Sequence, residues 1–167
     1  MSFRLERISR SWAKRPFHCG KPSLDDYFKH YALKNDAAGI SRAFVAIDEA
    51  ENVVGYFTLS SGHVESPYWP ESVRRGLGKY PLPVALIGKL AARDKGKGVG
   101  SWLLRQAFEK VILACGEVAI FAVIVDALDD EALGFYRHVG FHQFLDEPMR
   151  LFVTVAELVD AKARPEI

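Results

Sequence analysis

The sequence has little cysteine, little net charge and no long apolar run. Its two cysteines, Cys19 and Cys115, form no Cys-x-x-Cys pair and are too few for a disulfide framework. No apolar run approaches the roughly 20 residues that cross a bilayer. The first ten residues are charged and contain no apolar segment typical of a secretion signal. We therefore expect a cytoplasmic protein with no membrane partner, and the scattered histidines and cysteines predict no metal site.

The near-neutral net charge of +1 conceals an uneven distribution of charge along the chain. Residues 1–110 carry 18 Lys and Arg against 11 Asp and Glu, whereas residues 111–167 carry 4 against 10. A basic half can attract an anionic partner through its electric field. The alternative is that these charges are ordinary solvated surface. Length and composition, with 49% apolar and 26% charged residues, predict one globular domain over residues 1–167.

Hydrophobic patterning predicts a mixed α/β domain. Alternating or continuous apolar runs predict strands, and apolar residues at helical spacing predict helices. We expect strands at 3–8, 42–48, 52–64, 85–92, 117–127 and 150–155, and helices at 23–35, 99–114 and 129–140. Ser23 is the predicted N-cap of the first helix and Gly140 the C-cap of the last. One short helix is expected near 70–76, in a segment rich in proline and glycine.

A glycine-rich segment, "DKGKGVGS", lies between a predicted strand and a predicted helix. Glycines let several backbone N–H groups point at one anion, and the helix N-terminus adds partial positive charge. The segment ends in Gly-Ser-Trp, unlike a Walker A motif, and its glycines alternate, unlike those of a Rossmann fingerprint. A flexible turn is the alternative to phosphate binding. The residues predicted to bind phosphate are Lys95, Gly96, Lys97, Gly98, Val99, Gly100 and Ser101.

This segment resembles the acetyl-CoA pyrophosphate loop of the GNAT superfamily of N-acetyltransferases, Gln/Arg-x-x-Gly-x-Gly/Ala, with Lys95 at the first position. A second stretch, "ALGFYRHVGF", is similar to the Ala-x-x-Phe-Tyr-x-x-x-Gly-Phe block that GNAT proteins carry further along the chain. The resemblance implies a GNAT-type α/β domain with a central twisted mixed sheet and helices on both faces. It also implies that the sheet is splayed where acetyl-CoA binds.

A narrower resemblance, from about residue 15 to about residue 155, is to the GNAT toxins of bacterial toxin–antitoxin modules. It is carried by "FHCGKPSLDDYF", "GYFTLSSGHVE", "LPVALIGKLA" and "VDALDDEALGFYRHVGF". These toxins acetylate the α-amino group of aminoacyl-tRNA and so block translation. The segment between "KLA" and "GKGVG" is about two residues shorter than in the family pattern. The resemblance implies a homodimer and a ribbon-helix-helix antitoxin as partner.

The resemblance also implies roles for individual residues. Backbone N–H groups of the strand that includes Leu90, Ala91 and Ala92 are expected to polarise the acetyl carbonyl of acetyl-CoA. Tyr136 is the expected general acid, because a phenol with a pKa near 10 holds its proton at neutral pH and can give it to a leaving thiolate. Phe135 is expected to pack against the cofactor or the core.

The general base stays open, since His63, Glu65, His138 and His142 are all available and water is an alternative. Some basic residues are expected to serve the phosphates of CoA and others the phosphates of a tRNA acceptor stem. The tRNA candidates are Arg74, Arg75, Lys79, Lys89 and Arg93, with Lys14 and Arg15 as further basic residues before the first helix. Two other functions fit the sequence: a GNAT enzyme for a small-molecule or protein amine, and a CoA-binding protein without catalysis.

Overall fold

The computed structural model describes residues 2–163, which form one hydrogen-bonded sheet and seven α-helices. The strands are β1 (Arg4–Arg7), β2 (Arg42–Ile47), β3 (Val53–Val64), β4 (Leu82–Ala92), β5 (Ala122–Asp126), β6 (His142–Gln143) and β7 (Arg150–Thr154). The helices are α1 (Arg10–Ala13), α2 (Pro22–His30), α3 (Ala32–Ala37), α4 (Glu71–Arg74), α5 (Val99–Ala114), α6 (Asp130–Val139) and α7 (Val155–Ala163). A single 3-10 turn, Ser66–Tyr68, precedes α4.

The strand order is β1-β2-β3-β4-β5-β7-β6, and the predicted mixed α/β architecture is confirmed. The pairs β1–β2, β2–β3, β5–β7 and β6–β7 are antiparallel. The splay of the sheet at the acetyl-CoA site stays a prediction. Within residues 2–163, no helix has both the length and the apolar character needed to span a bilayer.

The described residues divide into two compact units. Unit 1 runs up to Ser60 and includes Ile87–Glu109, and unit 2 comprises Ser61–Leu86 and the chain from Lys110 on. Strands β3 and β4 are each divided between the two units, with one part of the strand in unit 1 and the other part in unit 2. The prediction of one domain over residues 1–167 stays a prediction.

Unit 1 packs α2 and α3 against the sheet around an aromatic core. The ring of Tyr56 contacts those of Phe17 and Phe28, and its hydroxyl donates a hydrogen bond of 2.6 Å to the Leu24 carbonyl. Burial raises the pKa of Tyr56 well above its usual value, so this hydroxyl keeps its proton. Phe28 is buried, and Tyr27 packs on the same core.

The predicted helix at 23–35 is wrong in two respects. It begins at Pro22 with Lys21 as N-cap, because proline has no N–H to satisfy and its fixed φ suits the first helical position. It is also interrupted at Tyr31, whose backbone leaves the helical region and whose side chain is 47% exposed, so this tyrosine is not a core residue. No proline or glycine marks the interruption, which explains why the pattern did not reveal it.

A buried carboxylate ties three elements of unit 1 together. Asp36 of α3 accepts hydrogen bonds from the Arg7 guanidinium of β1, the shortest of 2.6 Å, and from the Ala43 amide of β2 at 2.9 Å. Burial alone raises the pKa of Asp36, but the hydrogen bonds and charge of Arg7 outweigh it and hold the pKa below its usual value. The carboxylate therefore stays ionised and fixes the chain entry into β2.

Glycine at position 55 allows a close approach between β3, β4 and the beginning of α5. A Cβ on Gly55 would lie 2.7 Å from Leu103 Cδ1, 2.8 Å from the Ala91 carbonyl oxygen and 3.1 Å from Val99 Cγ1. Two of these distances are shorter than real Cβ contacts, and one of the atoms belongs to rigid backbone. Any side chain here would push α5 or β4 away from β3.

Unit 2 is built around the buried Trp69. Its ring packs against Phe121, Phe144 and Phe152, and its indole N–H donates a hydrogen bond of 3.1 Å to the Val64 carbonyl. Strand β5 is buried from Ala122 to Val125, as its continuous apolar run predicted, but it begins five residues later than expected.

Helix α6 has a cap at each end. The Asp129 carboxylate accepts the Ala132 amide at 2.9 Å, and Gly140 has φ +110° just after the last helical residue. The predicted C-cap is therefore confirmed. Helices α1 and α7 were not predicted, and α7 begins at Val155, where the last strand was expected to end.

We expect Gly55→Ala to lower the free energy of unfolding by about 1–3 kcal/mol, because the added methyl group must displace backbone. Urea-induced unfolding measures this change. Gly134→Ala is the matched control: Gly134 is exposed on α6, and a Cβ there meets no atom within 4 Å. That control should raise stability by up to about 1 kcal/mol through helix propensity. Equal effects of the two substitutions would contradict the importance of the close approach.

Candidate functional site

The glycine segment follows β4 and opens α5 within unit 1. Gly96 and Gly98 have φ values of +74° and +78°, a left-handed conformation that favours glycine. A Cβ on either residue would meet no atom within 4 Å, so conformation rather than crowding requires glycine there. Gly100 lies inside the first turn of α5, and the helix spans Val99–Ala114 as predicted.

The N-terminus of α5 presents backbone amides at this loop. The first helical hydrogen bond joins the Trp102 amide to the Gly98 carbonyl at 3.0 Å. The amides of Val99, Gly100 and Ser101 therefore precede the hydrogen-bond ladder of the helix and point out of its end. Such an end, with glycines before it, suits the oxygen atoms of a phosphate group.

The charges of the loop are mainly positive. Lys95 and Lys97 are exposed, and Arg93 is bound to its neighbour Asp94 with an N–O distance of 2.8 Å. The hydrogen bond from Arg93 holds the pKa of Asp94 below its usual value, and the charges of Arg93 and Lys97 act in the same direction. Three cationic side chains thus surround one carboxylate that is already paired, which suits an anionic ligand.

The end of β4 holds the three residues predicted to lie along the cofactor. Ala91 is buried, whereas Leu90 and Ala92 are half-buried. Within unit 1, hydrogen bonds to β3 hold the residue before these three and the residue after them. The Lys89 amide donates to the Thr58 hydroxyl at 3.0 Å, and the Arg93 amide donates to the Val54 carbonyl at 2.8 Å. These bonds give the end of β4 a fixed position next to the glycine loop in the chain.

Tyr136 lies on α6 in unit 2, with its side chain 6% exposed. Its ring packs against Phe135 and Phe141, each with ring centroids 5.4 Å away. No hydrogen bond joins its hydroxyl to another residue of the range 2–163. Burial of the ring raises the pKa of Tyr136 well above its usual value, which keeps the proton on the hydroxyl.

The four candidates for the general base have different surroundings in unit 2. His63 and Glu65 line one cleft of about 210 Å³ near the end of β3. His138 is exposed on α6. His142 is bound to Glu157 at 2.7 Å, so α7 occupies one of its ring nitrogens. The geometry assigns none of the four as base.

The predicted tRNA residues fall in both units. In unit 2, Arg74 ends α4 and is followed by Arg75 and Lys79; all three are exposed, with no ion pair to another residue in the range 2–163. In unit 1, Lys89 lies over the ring of Tyr27 at 5.2 Å and Arg93 is paired with Asp94.

A larger cleft of about 1050 Å³ lies wholly in unit 1, between the segment that joins α1 to α2, α2 itself and the beginning of β3. Its basic lining residues are Lys14, Arg15, Lys29 and Arg93. Three of these residues were among the basic residues expected to serve phosphates, but Lys29 was not, because Asp25 and Asp26 in the same helix balance its charge in the sequence. Gly55 was also missed, since its neighbours come from other elements.

Neither cysteine belongs to a reactive site. Cys19 is buried, and burial together with the nearby Asp25 raises the pKa of its thiol to about 11. Cys115 is half-buried and donates to the Ile112 carbonyl. Among residues 2–163, no group of three or more His, Cys, Asp or Glu side chains could hold a metal ion.

Comparison with known proteins agrees with this arrangement. The model of the Acetyltransferase (GNAT) family matches residues 5–141. A tRNA-acetylating toxin of Mycobacterium tuberculosis (strain ATCC 25618 / H37Rv) is 38% identical over 153 residues, which cover 90% of this chain and 91% of the relative.

Two solved structures of the toxin AtaT have the same fold. AtaT complexed with acetyl-methionyl-tRNAfMet has a TM-score of 0.87 and 23% identity, and covers 97% of this chain and 100% of its own. A tyrosine-to-phenylalanine mutant of AtaT, bound to acetyl-CoA and the C-terminus of the antitoxin AtaR, has a TM-score of 0.80 and 22% identity, covering 97% of this chain and 99% of its own. With the family model spanning most of the sequence and a relative similar over nearly its whole length, the chain belongs to the GNAT acetyltransferase family.

Proposed function

We propose that this chain transfers the acetyl group of acetyl-CoA to the α-amino group of an aminoacyl-tRNA and thereby acts as a toxin that blocks translation. The observation that carries the proposal is the 38% identity, over 90% of the chain, to the tRNA-acetylating toxin of Mycobacterium tuberculosis. The bound tRNA and acetyl-CoA in the AtaT structures support the same two substrates.

The proposal assigns the pyrophosphate of acetyl-CoA to the glycine loop. The amides at the beginning of α5 would donate to the phosphate oxygens, and Lys95 and Lys97 would balance their charge. Leu90, Ala91 and Ala92 would lie along the pantetheine arm, where a backbone N–H polarises the thioester carbonyl. Acetyl-CoA itself supplies the activated acetyl group.

Tyr136 is the proposed general acid. The amine nitrogen attacks the thioester carbon, a C–N bond forms and the C–S bond breaks, and the sulfur leaves with its electron pair. The hydroxyl of Tyr136 would give its proton to that sulfur, while the proton of the amine passes to water or to a base that stays unassigned. A buried ring whose hydroxyl keeps its proton, and has no hydrogen-bond partner among residues 2–163, is suited to this role.

The remaining assignments concern the partners of the protein. Arg74, Arg75, Lys79, Lys89 and Arg93 are the proposed contacts to tRNA phosphates. The antitoxin AtaR bound to AtaT supports an antitoxin partner for this chain too, and we propose one of the ribbon-helix-helix class. We also propose a homodimer, which the resemblance to the GNAT toxins implies, and a cytoplasmic location, since charged tRNA is found there.

The proposed reaction predicts acetylated aminoacyl-tRNA as the product. Incubation of the protein with acetyl-CoA and a charged tRNA pool, followed by nuclease digestion and mass spectrometry, should detect aminoacyl adenosines that carry one acetyl group. A pool stripped of its amino acids is the control and should yield none. Acetylation of a polyamine or protein amine, but not of charged tRNA, would favour the alternative GNAT enzyme. Binding of acetyl-CoA without turnover of any amine would indicate a non-catalytic protein.

We expect Tyr136→Phe to lower turnover by about 10²–10⁴-fold, the usual contribution of a general acid. The Michaelis constant for acetyl-CoA should hardly change, because the proton transfer matters in the transition state. Steady-state kinetics with saturating charged tRNA measures both values.

The matched control for that variant is Tyr56→Phe, which removes a hydroxyl that donates to the Leu24 carbonyl inside unit 1. It should cost about 1 kcal/mol of stability, the usual net value of such a hydrogen bond, and leave turnover near wild type. Wild-type turnover in Tyr136→Phe would refute the acid role. Loss of its folded circular dichroism spectrum would indicate a packing role instead.

The exposed insert of unit 2 generates a further prediction. Charge reversal by Arg74→Glu with Arg75→Glu should weaken tRNA binding and lower the slope of log affinity against log salt by about 1 for each lost phosphate contact. Affinity for acetyl-CoA should stay the same. Arg10→Glu with Lys34→Glu is the control of equal charge change at exposed residues of α1 and α3. If tRNA affinity and salt slope match those of the control, the insert is solvated surface.

A further inference from the structure

The cleft of unit 1 has an excess of available positive charge. Lys14 and Lys29 are exposed cations with no ion pair to any residue of the described range 2–163. Arg15 lies over the ring of Trp12 at 5.4 Å, and its charge is one of those that lower the pKa of Glu51, whose carboxylate is hydrogen-bonded to Arg4. Among the four basic lining residues of this described part of the chain, Arg93 forms a direct ion pair, with Asp94.

The two carboxylates of the cleft are already engaged. Asp25 accepts the Cys19 amide at 2.8 Å, and its other oxygen lies 2.9 Å from Nδ1 of His18. Asp26 lies 3.5 Å from Nε2 of His30, one helical turn further along α2. Asp26 stays 62% exposed, but the four lysines and arginines of the lining outnumber its two carboxylates, so the cleft keeps a net positive charge.

The cleft of unit 1 is lined partly by apolar side chains and has an exposed imidazole ring beside them. Pro16 and the half-buried Phe17 contribute apolar surface above the buried Phe28, and the ring of His18, 85% exposed, is open to a ligand. Stacking surfaces combined with cations are what proteins use to bind single-stranded nucleic acids, since every base has a face that stacks and every phosphate a charge. The volume of about 1050 Å³ is at the upper end for small-ligand clefts, roughly 300–1,000 Å³, and so suits more than one nucleotide.

The cleft is distinct from the glycine loop. Its lining includes Arg93, the residue directly after β4, but none of residues 95–101. The loop amides that suit a pyrophosphate therefore do not open into it. Arg93 nevertheless comes shortly before the glycine loop in the chain. A ligand in the cleft would therefore contact a residue close in sequence to the loop assigned to the acetyl donor.

We propose that this cleft binds the single-stranded 3′ end of the RNA substrate, with Lys14, Arg15 and Lys29 on the phosphates and the apolar wall against the bases. This inference rests on the proposed function, because the amine to be acetylated is carried by that end of the RNA. It adds a second RNA contact, in unit 1, to the exposed insert of unit 2.

The test uses the full chain and a fluorescent single-stranded RNA oligonucleotide that ends in CCA with a free 3′ hydroxyl. Lys14→Glu with Lys29→Glu should weaken its binding by roughly tenfold at moderate salt and lower the salt slope by about 0.7 for each lost contact. Arg10→Glu with Lys34→Glu changes the net charge equally outside the cleft and should bind the oligonucleotide as the wild type does. A blunt RNA hairpin of the same length should be bound more weakly by the wild type, with little further change in the cleft variant.

Calorimetry with acetyl-CoA is the second arm of the experiment. Unchanged affinity in the cleft variant supports an RNA cleft, whereas a loss of acetyl-CoA binding with normal RNA binding would show that the cleft holds the nucleotide part of CoA and overturn the proposal. Equal RNA affinity in the cleft variant and its control would overturn it as well. Because the oligonucleotide carries no amino acid and no acetyl-CoA is present in the RNA arm, failure of the acetylation assay and failure of this test are distinguishable.

Discussion

The close approach at Gly55 is the constraint on which the candidate acetyl-CoA site of unit 1 depends. Here the backbone of β3 lies so near to β4 and to the beginning of α5 that a single methyl group would collide with a carbonyl oxygen. Val99 and Leu103 of α5 are fully buried against this strand, which anchors the first turn of the helix. The direction in which the helix end presents its amides is therefore set by packing beneath it, not by the loop.

The glycine loop is anchored by the buried residues at the beginning of α5 and is open around its own glycines. Gly96 and Gly98 adopt left-handed conformations with open space around their α-carbons, while the residues that follow are buried within one turn. A ligand phosphate then meets donors that are already oriented, so little conformational entropy is lost on binding. Lys95 and Lys97 add charge from the exposed side, where long side chains can adjust to the ligand.

The elements that were predicted correctly are those that depend on a periodic pattern of neighbouring residues. The features that were missed depend on contacts between elements. The strands β2 and β3, the helix α5 and the C-cap at Gly140 were found because each depends on neighbouring residues in the chain. The role of Gly55 could not be predicted, because its crowded neighbours lie more than 30 residues away in the sequence. The glycine loop and Tyr136 were located by motif spacing, but the motif contains nothing about whether the hydroxyl is open or bound. Lys29 was missed for a similar reason. Its acidic neighbours Asp25 and Asp26 contact histidines, and these contacts are known only from the fold.

Two buried tyrosines show why the state of one hydroxyl decides the chemistry. Burial raises the pKa of both Tyr56 and Tyr136. The hydroxyl of Tyr56 donates a hydrogen bond to a backbone carbonyl, whereas that of Tyr136 has no hydrogen-bond partner among the described residues. A raised pKa alone makes a phenol a poorer acid toward a free thiolate, whose conjugate acid has a pKa of about 8.5. A thiolate formed next to the same buried ring loses its hydration too, and its pKa rises for the same reason. In the proposed reaction the proton affinities of donor and acceptor would then move together, and the hydroxyl would keep its proton until the C–S bond breaks.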